Sequence, residues 1–547
     1  MAEGSRSSRE GGLAQPAPAL WVRLLIPSMG DTIFIALLAV LACTALSVRL
    51  LGDAGIGWHI RTGQQILAQH AFLRVDSFSS TMQGKPWFAW EWLYDVMAGR
   101  LDEWAGLNGV VWFTAVVIAG VFAGLFLLLR RGTNVFVALA LLLLAASGSM
   151  IHALARPHVV SWLLALVWFW ILDSSEPGAA DDSSVRHMRR LWLLPVLMVL
   201  WVNVHGGFLV GFVLLAIYWV SAVWYAVRLK EDKFGEFLAK LQWRARAKRL
   251  TAVSLAAAGA SLVNPYGWNL HAHIYEYLSN RFLMDHITEF QSPNFHGVAQ
   301  KCFALLVLAT MVALAARGRE LRVSQGLVVL FALYSGFYAS RNIPVSSVLL
   351  AMVIGPLLTE AVRNLGAGNI WLRRVGVRLA GFTERMTGLE SSLVGHLWAV
   401  AAVGLIFWIA VHGGNLGATR VMDAHFDGKR FPAAAVDFLA RRTAGGKIET
   451  VTVPDDWGGY VIYRMYPGML VTIDDRHDLY GEEFLKLYLK MMHVAPGWDE
   501  FLRKYDARRV MVPKGSALAN ILRLTPEWRN VYEDGVAAVF ERGPEKP

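Results

Sequence analysis

Residues 32–61 read TIFIALLAVLACTALSVRLLGDAGIGWHIR. Residues 32–51 carry one charge, Arg49, and then the pattern breaks into glycines around Asp53. A bilayer core takes about 20 apolar residues in a helix. The stretch therefore predicts a transmembrane helix over 32–51 that delivers a carboxylate to the membrane edge. Before it stands MAEGSRSSREGGLAQPAP, which is small and polar. No short apolar core with a cleavage site follows, so the first run is expected to be a retained span rather than a signal peptide.

Ten further apolar runs follow, at 109–129, 134–151, 159–172, 191–204, 208–227, 251–263, 302–316, 323–340, 343–361 and 393–412. Composition agrees with a multi-pass membrane protein. The 547 residues are 55% hydrophobic and 17% charged, where a soluble chain carries about 25% charge. Twenty-two Trp residues suit many membrane–water interface positions. These figures exclude a cytosolic enzyme and a disordered chain. Cys43 and Cys302 lie in or beside apolar runs and offer neither a disulfide framework nor a thiolate metal site.

Lys and Arg set the expected orientation. With a cytoplasmic N-terminus and eleven spans, the inner segments hold 24 Lys and Arg against 14 acids. The outer segments hold nine against nine, and residues 413–547 hold 19 against 19. The whole net charge of +10 thus falls on one side. It is a topology signal and calls for no nucleic-acid partner. The inner loops read as ordinary solvated basic loops. Residues 1–31 are expected to be a cytoplasmic segment, 32–412 a membrane domain with a large first outer loop at 53–107, and 413–547 a domain outside the cytoplasm. In that tail, IETVTVP, MLVTID, RRVMVP and VAAVFER read as short strands. FPAAAVDFLARR and EEFLKLYLKMM have helical spacing, so the tail predicts a small α/β domain. Trp457-Gly458-Gly459-Tyr460 resembles in part the Trp-rich acceptor-binding motif of oligosaccharyltransferases, and also reads as a packing motif at a strand turn.

Polar groups that are expensive in lipid recur at the outer turns. The first outer loop holds Asp53, His59, Arg61, Asp76 and Glu91. Later turns hold Arg156 and His158, Asn203 and His205, Asn264 and Tyr266, Glu289, and Arg341 with Asn342. Asp53 can act as a general base if a substrate hydroxyl or amine comes within reach, or can simply end a helix. Asp76 has the same two readings. Glu91 sits among Trp87, Trp90 and Trp92, which also fits a helix lying on the bilayer. Arg156 and Arg341 can hold a phosphate with the guanidinium fork, or snorkel to the headgroups. The histidines show no metal-ligand spacing, and no nucleotide or dinucleotide motif is present. An enzyme on the outer face lacks cytosolic nucleotide sugars, and a polyprenyl-phosphate conjugate would supply an activated one.

The first span followed by D-x-x-x-G-W-H-x-R-T-G at 53–63, V-D-S-F-S at 75–79 and K-P-W-x-x-x-E-W-L at 85–93 resembles the first outer loop of bacterial GT-C superfamily glycosyltransferases. The tail, with D-W-G-G-Y at 456–460 and V-T-I-D-D-R-H-D-L-Y-G at 471–481, is similar to their extracytoplasmic C-terminal domain. Two departures are plain: Asp53 is followed by Ala54 rather than a second acid, and Trp90-Glu91-Trp92-Leu93 stands where many members carry a His-x-Pro-Leu-like segment.

The resemblance implies a GT-C-like fold of about eleven transmembrane helices. It also implies sugar transfer from a polyprenyl-phosphate carrier to a glycan, lipid or protein acceptor. Asp53 is the match to the catalytic acid/base, Asp76 to a supporting acid, and Arg156 and Arg341 to the carrier-phosphate ligands. The expected setting is the bacterial inner membrane, in contact with its lipid. No cofactor and no metal are expected, since arginine can neutralise the phosphate. A lipid-linked glycan transporter or flippase and a non-catalytic assembly subunit remain open from the residues alone.

Overall fold

A computed structural model describes residues 20–177, 188–230, 233–365, 370–393, 395–442 and 448–543. The first span begins at Met29, because Ser28 and Asp31 form a reciprocal capping box. The Ser28 hydroxyl accepts the Asp31 N–H at 3.1 Å and the Asp31 carboxylate accepts the Ser28 N–H at 3.0 Å. Both orphan donors are thereby satisfied. The helix stops at Cys43 and resumes over Leu46–Leu50. Thr44 causes the interruption: its hydroxyl donates to Val40 O at 2.6 Å and accepts Leu46 N–H, competing with the helical ladder.

Among the described residues, six helices are long and apolar enough to cross a membrane: Arg23–Cys43, Trp92–Leu129, Val135–His152, Gly206–Arg228, Val298–Glu320 and Ser340–Arg363. Shorter apolar helices lie at His158–Ser174, Val323–Tyr338 and Leu397–Val411. The two remaining expected runs fall on Leu193–Val202 and on the end of Phe234–Ala260. Every expected apolar run therefore lies on a helix. The helix Trp92–Leu129 also extends well before its expected run and bends at Gly106, whose φ of +57° breaks the helical path.

The tail forms a layered α/β unit. The strands are β1 Asn415–Leu416, β2 Thr419–Arg420, β3 Glu449–Val451, β4 Met469–Val471, β5 Arg509–Pro513, β6 Trp528–Glu533 and β7 Ala537–Arg542. β1 and β2 make a small antiparallel pair, β3 and β4 pair in parallel, and β5-β7-β6 is antiparallel. A bridge at Thr452 and Val510 links the last two groups. The expected helices are present at Ala433–Arg442 and Glu482–Met492. Trp457-Gly458-Gly459-Tyr460 corrects its expectation: it lies in the helix Asp455–Met465 rather than at a strand turn.

The first loop and the tail are built together. Ser80 N–H donates to Val471 O at 2.8 Å, and Val471 N–H to Phe78 O at 3.3 Å, so the loop extends the edge at β4. The loop helix Ile56–Gln69 packs on Asp455–Met465 through facing glycines. A Cβ on Gly57 would stand 2.1 Å from Gly459 O, and one on Gly459 2.3 Å from Ala54 O. Only backbones without side chains approach this closely.

Candidate functional site

A cavity of about 1550 Å³ opens where the first loop, the helix ends and the tail meet. Eight of the expected site residues line it: Asp53, Glu91, Arg156, His158, His205, Glu289, Arg341 and Asn342. Asp53 follows the first span directly. Its Oδ1 accepts Gly55 N–H at 2.8 Å, a tight turn into the loop helix, and lies 3.4 Å from Arg156 Nη1. Both readings of Asp53 thus coexist, because Oδ2 has no partner among the described residues.

Arg156 ends the turn before His158–Ser174 and reaches across to the tail. Its Nη1 donates to Asp475 Oδ2 at 2.8 Å. Trp58 Nε1–H donates to Asp475 Oδ1 at 2.8 Å, and the guanidinium lies 5.8 Å from the Trp58 ring centre. Burial disfavours the charged guanidinium, but Asp53 and Asp475 outweigh it and hold Arg156 above its ordinary pKa. Burial pushes the Asp475 carboxyl up to about 6, against the pull of Arg156.

Glu91 has a different character. Its Oε2 lies 3.7 Å from His59 Nε2 and its Oε1 3.7 Å from His205 Nε2, both beyond hydrogen-bond length. His205 Nδ1 accepts Gly207 N–H at 3.0 Å, so the neutral ring carries its proton on Nε2, toward Glu91. His59 is fully buried, with Nδ1 2.5 Å from Asp95 Oδ1 and Nε2 without a hydrogen-bond partner. Burial, with Arg156 second, holds His59 well below its usual pKa. Burial likewise raises the Glu91 carboxyl to about 8, so near neutral pH it is an acid able to donate a proton.

The other expected residues lie outside the cavity lining. Asp76 is 1% exposed and anchors the tail. It accepts Ser79 N–H at 2.9 Å and the Ser79 hydroxyl at 2.6 Å, and pairs with Arg476 Nη1 at 2.8 Å. Burial raises its pKa, but Arg476 and Ser79 more than offset that and hold it below the carboxylate range. Arg61 donates to Tyr463 O and to Gln64. The Tyr266 hydroxyl donates to Leu73 O and accepts Ala89 N–H, tying two points of the first loop together. Asn264 shapes its own turn. Asn203 accepts from Trp92 Nε1 at 2.7 Å and donates to Val199 O and Val263 O. Arg341 is in the cavity wall but paired, 2.9 Å from Glu289 and 4.5 Å from the Phe290 ring centre.

Sequence reasoning assigned no role to the tail, yet Asp455, Asp475, His477 and Asp478 line the same cavity. His477 Nε2 lies 2.8 Å from Asp455 Oδ2, and His273 Nε2 2.9 Å from Asp478 Oδ2. The density of acids and His in VTIDDRHD, directly after an apolar strand, was the available signal. Among the described residues no group of three or more His, Cys, Asp or Glu is arranged to hold a metal ion.

No protein-family model and no curated protein matches the chain in sequence. In structure it is similar to the oligosaccharyltransferase of Archaeoglobus fulgidus in the apo form, at 11% identity and a TM-score of 0.52, over 89% of this chain and 69% of that one. The same enzyme in complex with Zn and sulfate aligns at 12% identity and 0.49, over 88% and 68%. ArnT from Cupriavidus metallidurans bound to undecaprenyl phosphate aligns at 14% and 0.45, over 94% and 99%. The chain shares the fold of the Archaeoglobus fulgidus oligosaccharyltransferase, and here it is a helical membrane domain with a small sheet-containing C-terminal domain.

Proposed function

We propose that the chain is a glycosyltransferase that moves a sugar from a polyprenyl-phosphate carrier to an acceptor at the outer face of a bacterial inner membrane. One observation carries the reading: Asp53 and Arg156 stand 3.4 Å apart in a cavity that also has an apolar wall of Ile274, Leu278, Leu283 and Met284. A base, a phosphate ligand and room for a prenyl chain then meet in one place. The GT-C fold supports it.

In this mechanism Asp53 takes the proton from the acceptor hydroxyl or amine. The acceptor's electron pair forms the new bond to the anomeric carbon. The bond from that carbon to the phosphate oxygen breaks, and the pair leaves on the lipid phosphate. Arg156 and Arg341 neutralise the charge that develops there, and the Nε2–H of His205 is available to the same oxygens. A single displacement inverts the anomeric carbon. Asp76 supports the site by anchoring the tail rather than by touching substrate.

The test is single-turnover sugar transfer in reconstituted membranes. Asp53→Asn should slow the chemical step at least about 10²-fold, with no loss of donor affinity. A wild-type rate in the variant removes Asp53 as the base. A reporter active only in the cytoplasm, fused after Pro547, should stay dark, and a bright fusion reverses the proposed face.

A further inference from the structure

Asp475 of the tail meets Asp53 of the first loop through Arg156, and its setting differs from that of an ordinary pair between two parts of a chain. The tail is already locked in place without it. The next residue, Arg476, is 2% exposed and pairs with Asp76 at 2.8 Å and with Asp474 at 2.6 Å. Its guanidinium also lies 4.5 Å from the Trp87 ring centre. On the other side, Thr81 Oγ1 donates to Thr472 O at 2.7 Å and Ser80 N–H to Val471 O at 2.8 Å. The backbone on both sides of Asp475 is thus held by the first loop, and the carboxylate is free for another task.

That task is visible in what Asp475 touches. Oδ1 is fixed by Trp58 Nε1–H and Oδ2 by Arg156 Nη1, both at 2.8 Å. The chain makes room for the contact: a Cβ on Gly55 would stand 1.4 Å from Arg156 Nη1 and 2.3 Å from Asp475 Oδ2. Arg156 spends one nitrogen, Nη1, on both Asp475 and Asp53. Nη2 and Nε have no partner among the described residues, and Arg156 lines the cavity. A guanidinium clamped at one nitrogen, with the rest of its fork open, is oriented for a phosphate.

We propose that Asp475 is a positioning residue: it shares Arg156 Nη1 with Asp53 and aims the open side of the guanidinium at the phosphate of a polyprenyl-phosphate ligand. The C-terminal domain then completes the site instead of standing beside it. Asp475 also opposes the phosphate, because it shares the cation with it. Removing its charge leaves Arg156 more attractive to an anion yet less well placed. Affinity and turnover should therefore move in opposite directions, which damage to the fold cannot produce. The binding half of this inference needs only a phosphate ligand, while the turnover half rests on the proposed transfer reaction.

The experiment compares wild type with Asp475→Asn in phosphatidylcholine nanodiscs. Undecaprenyl phosphate is the binding probe, and a panel of polyprenyl-phosphate hexoses and pentoses serves for single-turnover transfer. The variant should bind the phosphate at least about threefold more tightly and transfer at least about tenfold more slowly. Unchanged or weaker binding at a wild-type thermal midpoint overturns the proposal, and so does unchanged transfer. If Asp475→Asn does not fold, Trp58→Phe removes the N–H that fixes Oδ1 and keeps both charges. With the charges kept, phosphate affinity should stay near wild type while transfer falls by a smaller factor, and a wild-type transfer rate overturns the proposal. If wild type itself transfers no sugar, the transferase reading falls, while the binding comparison still decides the role of Asp475.

Discussion

The helix His158–Ser174 carries charged clusters at both ends, and the two clusters have opposite properties. Beyond its C-terminal end Arg322 pairs with Asp173 at 2.7 Å and with Glu176 at 2.8 Å. Tyr218 donates to Asp173 at 3.0 Å, and Ser324 to Glu176 at 3.0 Å. Arg246 is fully buried and donates to Ser175 Oγ at 2.7 Å and Leu172 O at 2.8 Å. None of these residues lines the cavity. At the N-terminal end Arg156 meets Asp53 and Asp475 with donors to spare, and Glu91 stands between two imidazoles without a hydrogen bond to either. Similar side chains thus close on one another at one end and stay partly unspent at the other. Donors left over beside open volume mark a site, while similar residues packed on one another away from the cavity mark a joint, even with Arg246 Nε and Glu176 Oε1 left without a hydrogen bond.

Four measurements can break or sharpen this contrast. The largest effect belongs to Asp53→Asn, with transfer falling at least about 10²-fold and the thermal midpoint little changed. At the other end, Arg246→Met leaves a hydroxyl and a carbonyl without their donor. It should cost about 1–3 kcal/mol of stability and leave phosphate affinity intact. A stable Arg246→Met with weakened phosphate binding would dissolve the distinction between the ends.

Next in size, Arg156→Ala should weaken undecaprenyl phosphate binding by roughly tenfold. Arg156→Lys should recover only part, since an ammonium cannot offer one nitrogen to carboxylates and a fork to phosphate. Full recovery by Lys would reduce Arg156 to a point charge.

The smallest effect is a pH dependence at Glu91. Its carboxyl is raised by burial to about 8 from 4.5. Stability from the protonated form is fully present below the unfolded value and is lost as pH rises through about 8. Glu91→Gln escapes that loss. Its thermal midpoint relative to wild type should therefore rise by roughly a few degrees between pH 5 and 9. A difference that is flat with pH would mean that Glu91 is ionised throughout, and would remove the neutral acid from the cavity.

The helices were legible because lipid permits only one solution. An apolar run must satisfy its backbone internally, so each expected run lies on a helix. Strand alternation and turn residues made β3, β4, β5 and β7 readable in the same way. The reading of the basic inner segments as solvated loops was incomplete. Residues 234–249 are helical, and Arg246 within them is buried. A charge count sees the sign of a residue and not its partner.

Sequence by itself determined the membrane class, the positions of the apolar helices and the strand–helix character of the tail, because these follow from local periodicity and from what lipid excludes. It also placed Asp53, Glu91, Arg156, His158, His205, Glu289, Arg341 and Asn342 at one set of turns. Only the tertiary structure separated Asp76, Arg61, Asn203, Asn264 and Tyr266 from them as structural ties, and only it brought Asp475 to Arg156 across 319 positions of chain. The physical reason is that hydrogen-bond capacity is finite. Whether a polar group serves the fold or a ligand depends on which partners have already claimed it, and partners distant in sequence become known only when the chain has folded.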